Sequence, residues 1–246
     1  MQTYYLTDAG KVREHNEDSV IITKNENNEY LLAVADGMGG HKAGEVASNL
    51  TIEYLTKSFE DISHIGDKAE AVKWLRESIE IINKKIFEYT SEFPNSKGMG
   101  TTLVIAIVTK TYLLFGNIGD SSGFAIKDNK LFKVTRDHTL VNLLVSTGEL
   151  SEEEAKLHPR KNVLMRALGA NNPIEIDIFD VDMGVSDILL CSDGLTNMLS
   201  EDQIEKVLIN DELDIEQKVL RLIKKSNNRG GSDNISVAYL TKESGD

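Results

Sequence analysis

The stretch LLAVADGMGGHKAGEVAS, residues 31–48, decides the fold. Leu31, Leu32, Ala33, Val34 and Ala35 are apolar without alternation, which reads as a buried strand. The run ends on an acid, Asp36, followed by Gly37, Met38, Gly39 and Gly40, and a helical pattern begins soon after. A strand that leaves a core on a carboxylate and glycines has two readings. It is a turn, or it is a site where a carboxylate is held rigidly beside bare backbone.

The same ending recurs outward from this stretch. FGNIGDSSG ends an apolar run on Asp120, and DILLCSDGL ends one on Asp193. RGGSDNISVAYL places Asp233 just before the last apolar run, and REHNEDSVII places Glu17 and Asp18 just before the second. Each instance alone reads as a turn, because Asp-Gly is a common turn pair. Together they read differently. Each closes or opens a long buried run, and in two packed sheets such ends converge at one edge. Carboxylates gathered there repel one another unless they are protonated or neutralised by a cation. Hard oxygen ligands suit Mg²⁺ or Mn²⁺, and no Cys/His spacing points to zinc. Paired ions about 3.5–4 Å apart are a recurrent device for phosphoryl transfer. Gly37 can offer its carbonyl to such an ion. Arg13 precedes the Glu17/Asp18 pair, and a guanidinium matches a phosphate with two parallel donors. Read without its neighbours, Arg13 is a solvated surface residue.

The chain of 246 residues allows one large domain or two small ones. Its net charge of −13 argues against nucleic acid and anionic membrane as partners. The single cysteine, Cys191, excludes an internal disulfide and fits a reducing compartment. Cys191 and Trp74 both read as core residues. No basic region followed by an apolar run opens the chain, so no signal peptide is expected. The longest apolar stretch, Leu103–Phe115, is broken by Lys110 and threonines and is too short to span a bilayer. A cytoplasmic location is the expectation.

Hydrophobic patterning predicts strands near 3–8, 18–23 and 30–36, then helices near 42–59 and 68–90. The second helix carries Ala71, Leu75, Ile79, Ile82 and Ile86 on one face, with Asp67 as its N-cap. Strands are predicted near 101–109, 111–118, 122–127 and 130–134, and short helices and loops across 137–168, with Asp137 as a cap and His138 structural. Strands near 174–181 and 186–191, helices near 201–209 and 214–226, and a strand near 234–241 complete the chain. Strands cluster in groups rather than alternating with helices. That predicts an α+β fold in which two mostly antiparallel sheets pack face to face with helices outside.

The residues resemble a known family, the metal-dependent PPM or PP2C-type Ser/Thr protein phosphatases, above all their compact bacterial members. The resemblance runs in order through TDAGKVREHNEDS, VADGMGGHKAGEVAS, GMGTTLV, NIGDSSGFAI, VTRDHTLV, HPRKNVLMRALG, LLCSDGLTNML and GGSDNISV. It implies a single domain over residues 1–246, a β-sandwich flanked by helices (α-β-β-α), with a mobile flap near 139–168 that affects substrate choice. It further implies two or three Mn²⁺ or Mg²⁺ ions. Asp36 would bridge two ions and the Gly37 carbonyl would join one of them. Asp193 and Asp233 would ligate the other. Asp18 would reach a metal directly or through water, with Glu17 behind it. Asp120 with Asp193 would hold a third ion. Arg13 would bind the phosphate, and Asn234 would support Asp233.

The implied activity is hydrolysis of phosphoserine and phosphothreonine in proteins by a metal-activated water, without a covalent phosphoenzyme, with Asp36, Asp193 and Arg13 at its centre. The implied partners are phosphorylated proteins, a bacterial Ser/Thr kinase and its substrates, met by a monomer. Two alternatives stand beside this: a metal-free binding protein on the same fold, and a phosphatase for a sigma-factor regulator. The chain also departs from the family. Met38 stands where eukaryotic members carry histidine; nearby His41 reads either as an acid catalyst or as surface. Ser122, Phe124 and Ser236 stand where arginine, tyrosine and threonine are frequent. None is a metal ligand, so activity is expected to survive.

Overall fold

The computed structural model describes residues 1–40 and 42–242. His41, the open acid-catalyst reading, lies outside the described residues. One sheet contains β1 (Gln2–Asp8), β7 (Ser122–Lys127), β8 (Lys130–Lys133), β10 (Asp187–Cys191) and β11 (Ile235–Thr241), in the order β1-β11-β10-β7-β8. The other runs β2-β3-β5-β6-β9, from β2 (Asp18–Lys24), β3 (Tyr30–Met38), β5 (Leu103–Val108), β6 (Leu113–Ile118) and β9 (Asp177–Val181). A two-residue strand, β4 (Gly100–Thr101), pairs with the end of β3. Every paired strand is antiparallel.

The unalternating apolar strands follow from covering both faces of each sheet. Along β3, Leu32 and Val34 point between the sheets and pack with Val104, Phe115, Leu190 and Ala238. Leu31, Ala33 and Ala35 point the other way, onto Leu55, Phe59, Leu75 and Ile79 of α1 (Ala43–Glu60) and α2 (Lys68–Glu92). The second sheet is covered in the same manner. Leu189, Cys191, Val237 and Tyr239 meet Ile204 of α6 (Glu201–Leu208) and Leu222 of α7 (Ile215–Asn228). Each such leucine or isoleucine, fully buried, contributes about 1.5–3 kcal/mol. Helix α2 starts where the sequence places it: Glu70 N–H donates to Asp67 Oδ1 at 2.9 Å and Asp67 N–H to Glu70 Oε2 at 2.8 Å.

Antiparallel pairing brings the acids together. The start of β2 lies beside the end of β3, with Asp18 directly opposite Asp36. The start of β11 lies beside the end of β10, and the end of β10 beside the start of β7. Asp193 and Asp233 thereby flank one pair, and Asp120 sits where β6 crosses to β7.

Two local expectations change. Residues 140–146 and 152–157 form α3 (Leu140–Ser146) and α4 (Glu152–Leu157), but Asp137 caps neither. Thr139 is the N-cap of α3, accepting from Asn142 N–H at 3.3 Å. The Asp137 carboxylate instead receives Lys133 Nζ at 2.7 and 2.8 Å. Asp193, read as the end of a strand with no helix after it, opens a single helical turn, α5 (Asp193–Thr196).

Candidate functional site

Asp36 is pinned by its backbone. Its N–H donates to Thr102 Oγ1 at 3.0 Å, and its carbonyl accepts from Thr102 N–H and Thr101 Oγ1, both at 2.9 Å. Thr102 Oγ1 also lies 2.8 Å from Ser121 Oγ, beside Asp120, so one buried threonine ties the ends of β3 and β6. Gly119, just before Asp120, has φ +101° and packs on Thr102, where a Cβ would come within 2.6 Å. Gly37 lies against helix α1. Its N–H donates to the Glu17 carbonyl at 3.1 Å, which Ser48 Oγ also reaches at 2.6 Å. A Cβ on Gly37 would meet the Gly44 carbonyl oxygen at 2.2 Å and that of Glu17 at 2.5 Å. Both are backbone atoms and cannot swing aside. Gly37→Ala is therefore expected to destabilise the fold by about 1–3 kcal/mol through forced backbone movement. Gly40→Ala, where a Cβ meets nothing within 4 Å, should leave urea unfolding unchanged.

Asp18 and Asp193 each have one oxygen held, and Asp233 has both, its Oδ1 accepting from Asn234 N–H at 2.9 Å. Asp18 Oδ2 accepts from Ser192 Oγ at 2.7 Å, and Asp193 Oδ2 accepts from Asn197 Nδ2 at 2.9 Å. Asp18 Oδ1 and Asp193 Oδ1 are buried and have no hydrogen-bond partner among the described residues. Asp233 Oδ2 pairs with Arg13 Nη2 at 2.8 Å, and about half of the Arg13 side chain is exposed, 52%. Asn234 clamps the loop that carries Arg13. Its Oδ1 accepts from Glu17 N–H at 2.9 Å, and its Nδ2 donates to the carbonyls of Ala9 and His15 at 3.0 and 2.9 Å.

Electrostatics follow from the crowding. Burial, then the charges of Asp193 and Asp137, push Asp120 up to about 7. Burial raises Asp18 to about 7 as well, against hydrogen bonds from Ser192 and Ser236 and with repulsion from Asp193 and Asp233. Asp36 is held well above the ordinary aspartate range by burial and by Asp18, Asp193, Asp120 and Asp233. Asp193 is raised by burial and by the charge of Asp233, while the hydrogen bond from Asn197 pulls it down. Glu17 is raised, chiefly by burial. Two unit charges about 4 Å apart repel by roughly 4 kcal/mol at an effective dielectric constant near 20. Neighbouring carboxylates at this mouth need protons or cations.

The fold thus gathers Asp18, Asp36, Asp120, Asp193 and Asp233 at one end of the sandwich, with Arg13, Glu17, Gly37 and Asn234 around them. As their side chains lie, no three carboxylate, imidazole or thiol groups among the described residues close around one point. Ser192, Asn197 and Arg13 hold individual carboxylates apart. The donors are all hard oxygens, and two buried carboxylate oxygens lack any partner, so the residues present fit divalent cations of the Mg²⁺ or Mn²⁺ kind. Sequence reasoning assigned no role to Thr101, Thr102, Ser192 or Asn197. The available signal was polar residues inside apolar runs and, for Asn197, a spacing of four from Asp193.

A two-layer antiparallel sandwich with flanking helices and a mouth of buried acids defines a class of hydrolases built for charged, cation-assisted chemistry. The comparisons place the chain within it. A family model described as Protein phosphatase 2C matches residues 9–229. A serine/threonine phosphatase stp of Listeria welshimeri is 42% identical over 98% of this chain and 96% of its own. The solved serine/threonine phosphatase of S. agalactiae superposes with TM-score 0.93 at 37% identity, over 98% of this chain and 99% of that one. The catalytic domain of the serine/threonine protein phosphatase PstP, solved with 2 manganese ions, superposes with TM-score 0.81 at 34% identity, over 97% and 96%. The chain belongs to the protein phosphatase 2C family, and is a protein phosphatase of that kind.

Proposed function

We propose that this phosphatase hydrolyses phosphoserine and phosphothreonine in proteins, with two or three Mn²⁺ or Mg²⁺ ions held by Asp18, Asp36, the Gly37 carbonyl, Asp120, Asp193 and Asp233. The observation that carries it is the pair of buried, unpartnered oxygens on Asp18 and Asp193 within a mouth of mutually repelling acids. Cations bound there supply the positive charge that acidifies water and offsets charge building on the phosphoryl oxygens.

The chain's own residues supply the rest. Asp36, fixed through Thr101 and Thr102, presents a carboxylate whose position does not depend on a flexible loop. Arg13 carries more donors than its pairing with Asp233 uses, and lies exposed enough to take two oxygens of a phosphate. Asn234 holds the Arg13 loop against β11, and Glu17 stands behind Gly37. The departing serine or threonine oxygen needs a proton, which Met38 cannot give.

The flap, residues 139–168, is rooted beside this mouth by the Thr139–Leu164 and Thr101–Leu168 bridges. It exposes Leu143 and Leu157, the latter 87% exposed, which favours a role in choosing among phosphoproteins. The reading extends to a monomer that reverses a Ser/Thr kinase. No helix among the described residues is long and apolar enough to cross a membrane, and the one cysteine is buried and free, in keeping with the proposed cytoplasmic location.

The test is phosphate release from a phosphothreonine peptide with Mn²⁺. The native protein should turn over and stop with EDTA. Arg13→Ala should lower kcat/KM by roughly 10- to 100-fold, the worth of about 1.5–3 kcal/mol for hydrogen bonds to a charged group. Release that ignores EDTA, or none with Mn²⁺ present, rejects the reading.

A further inference from the structure

The turn that carries Asp120 is held by a residue outside the acid set. Gly119 N–H donates to His138 Nδ1 at 3.1 Å, and His138 N–H donates back to the Gly119 carbonyl at 2.8 Å. Because Nδ1 accepts, the ring proton lies on Nε2, which donates to Asp177 Oδ2 on β9 at 3.1 Å. The imidazole is nearly enclosed, 10% exposed. Burial lowers its pKa, against the pull of Asp177, which favours this neutral form. Asp177 Oδ1 accepts from Arg166 Nη1 at 2.6 Å, and the His138 carbonyl accepts from Met165 N–H at 2.8 Å. Met165 and Arg166 lie on the limb by which the chain leaves the flap.

One side chain therefore joins three segments: the turn before Asp120, the exit limb of the flap, and β9. A glycine turn at positive φ has no side chain of its own to fix it. Groups that orient a metal-binding residue from behind typically matter 10- to 100-fold to metal affinity.

We propose that His138 is a positioning residue that couples the flap's exit limb to the Gly119–Asp120 turn, so that limb and Asp120 carboxylate move together. The inference rests on the phosphatase reading above. Its mechanical content is simple. Displacing Met165 and Arg166 pulls on His138 and Asp177, and through both hydrogen bonds to Gly119 it shifts Asp120.

The experiment is calorimetric titration of the full chain with Mn²⁺ alone, beside melting temperature. Asp120→Asn defines the binding event that depends on Asp120. His138→Ala should weaken that event about 10- to 100-fold. Asp177→Asn, at a side chain 40% exposed, should shift it the same way by less. In an Asp120→Asn background, His138→Ala should change Mn²⁺ binding no further, which a general loss of stability would not produce. Hydrogen exchange at the Met165 amide should slow on Mn²⁺ saturation in the native protein and not in Asp177→Asn. The proposal is overturned if the variants lower only the melting temperature, if His138→Ala acts equally with and without Asp120, if no binding event depends on Asp120, or if Met165 exchange ignores Mn²⁺. Should His138→Ala not fold, Asp177→Asn decides. Failure of the phosphatase reading shows separately, as a native protein without Mn²⁺-dependent phosphate release.

Discussion

Asp36→Asn is expected to lower Mn²⁺-supported phosphate release by about 10³-fold, the scale on which one preorganised charge-stabilising group acts, and to raise the melting temperature of the chelated protein. The two effects have one cause. Asp36 is opposed by Asp18 across the β2–β3 register and feels Asp193, Asp120 and Asp233. An asparagine removes the charge that the other four resist while keeping the shape and the Thr101 and Thr102 hydrogen bonds, which use only the backbone of residue 36. Each pH unit by which a buried carboxyl's titration is displaced corresponds to about 1.4 kcal/mol. At about 2–4 °C per kcal/mol for a chain of this length, melting in EDTA should move upward by several degrees. Loss of activity with a gain in stability separates a working carboxylate from a turn residue. Asp182→Asn, which removes the exposed partner of Lys127, is the control and should change neither. A chelated Asp36→Asn protein that melts below the native one, with activity kept, would mean that the carboxylate only shapes the turn.

Much of this was legible in the sequence because both sheets are covered on both faces. Leu31 to Ala35 and Leu103 to Val108 are apolar at every position, and each such run is a strand whose neighbours divide between two cores. The acids stand out because they end those runs. Their convergence follows from antiparallel pairing, which a count of strands anticipates but does not specify: Asp36 and Asp193 come from different sheets. The supports were harder to see. Thr101 and Thr102 sit in a polar pair before an apolar run, and only the pairing of β4 with β3 shows that they face Asp36. The helical turn at Asp193 is four residues long, too short for any periodicity to register. Asp137 looked like a cap because it precedes a helix. Lys133, on a strand four residues earlier, claims it instead, and Thr139 caps the helix. Spacing of four is informative on a helix face and says little across a strand end.

The stability of the chelated protein should fall as pH rises from about 4 to about 7, and Mn²⁺ should reverse the fall. Asp18 and Asp120 titrate near pH 7 in the fold, against an ordinary value of 3.8. Between those limits the folded chain retains protons that the unfolded chain has released. Unfolding then releases protons, and stability decreases with rising pH. The loss is complete once both folded carboxyls have ionised, a little above 7. A cation that binds only the folded form competes with those protons, so its benefit grows over the same window. At about a hundredfold excess over its dissociation constant it contributes roughly 2.7 kcal/mol, or some 5–10 °C at the slope of about 2–4 °C per kcal/mol. Melting curves at pH 5 and pH 8, each with EDTA and with Mn²⁺, check this. The gap between the two curves should widen with pH in the native protein and widen less in Asp18→Asn and Asp120→Asn, which carry one titrating group fewer. A gap that stays constant with pH would place the binding of Mn²⁺ away from these carboxylates, because an ion that displaces no protons has no reason to bind more tightly as they leave.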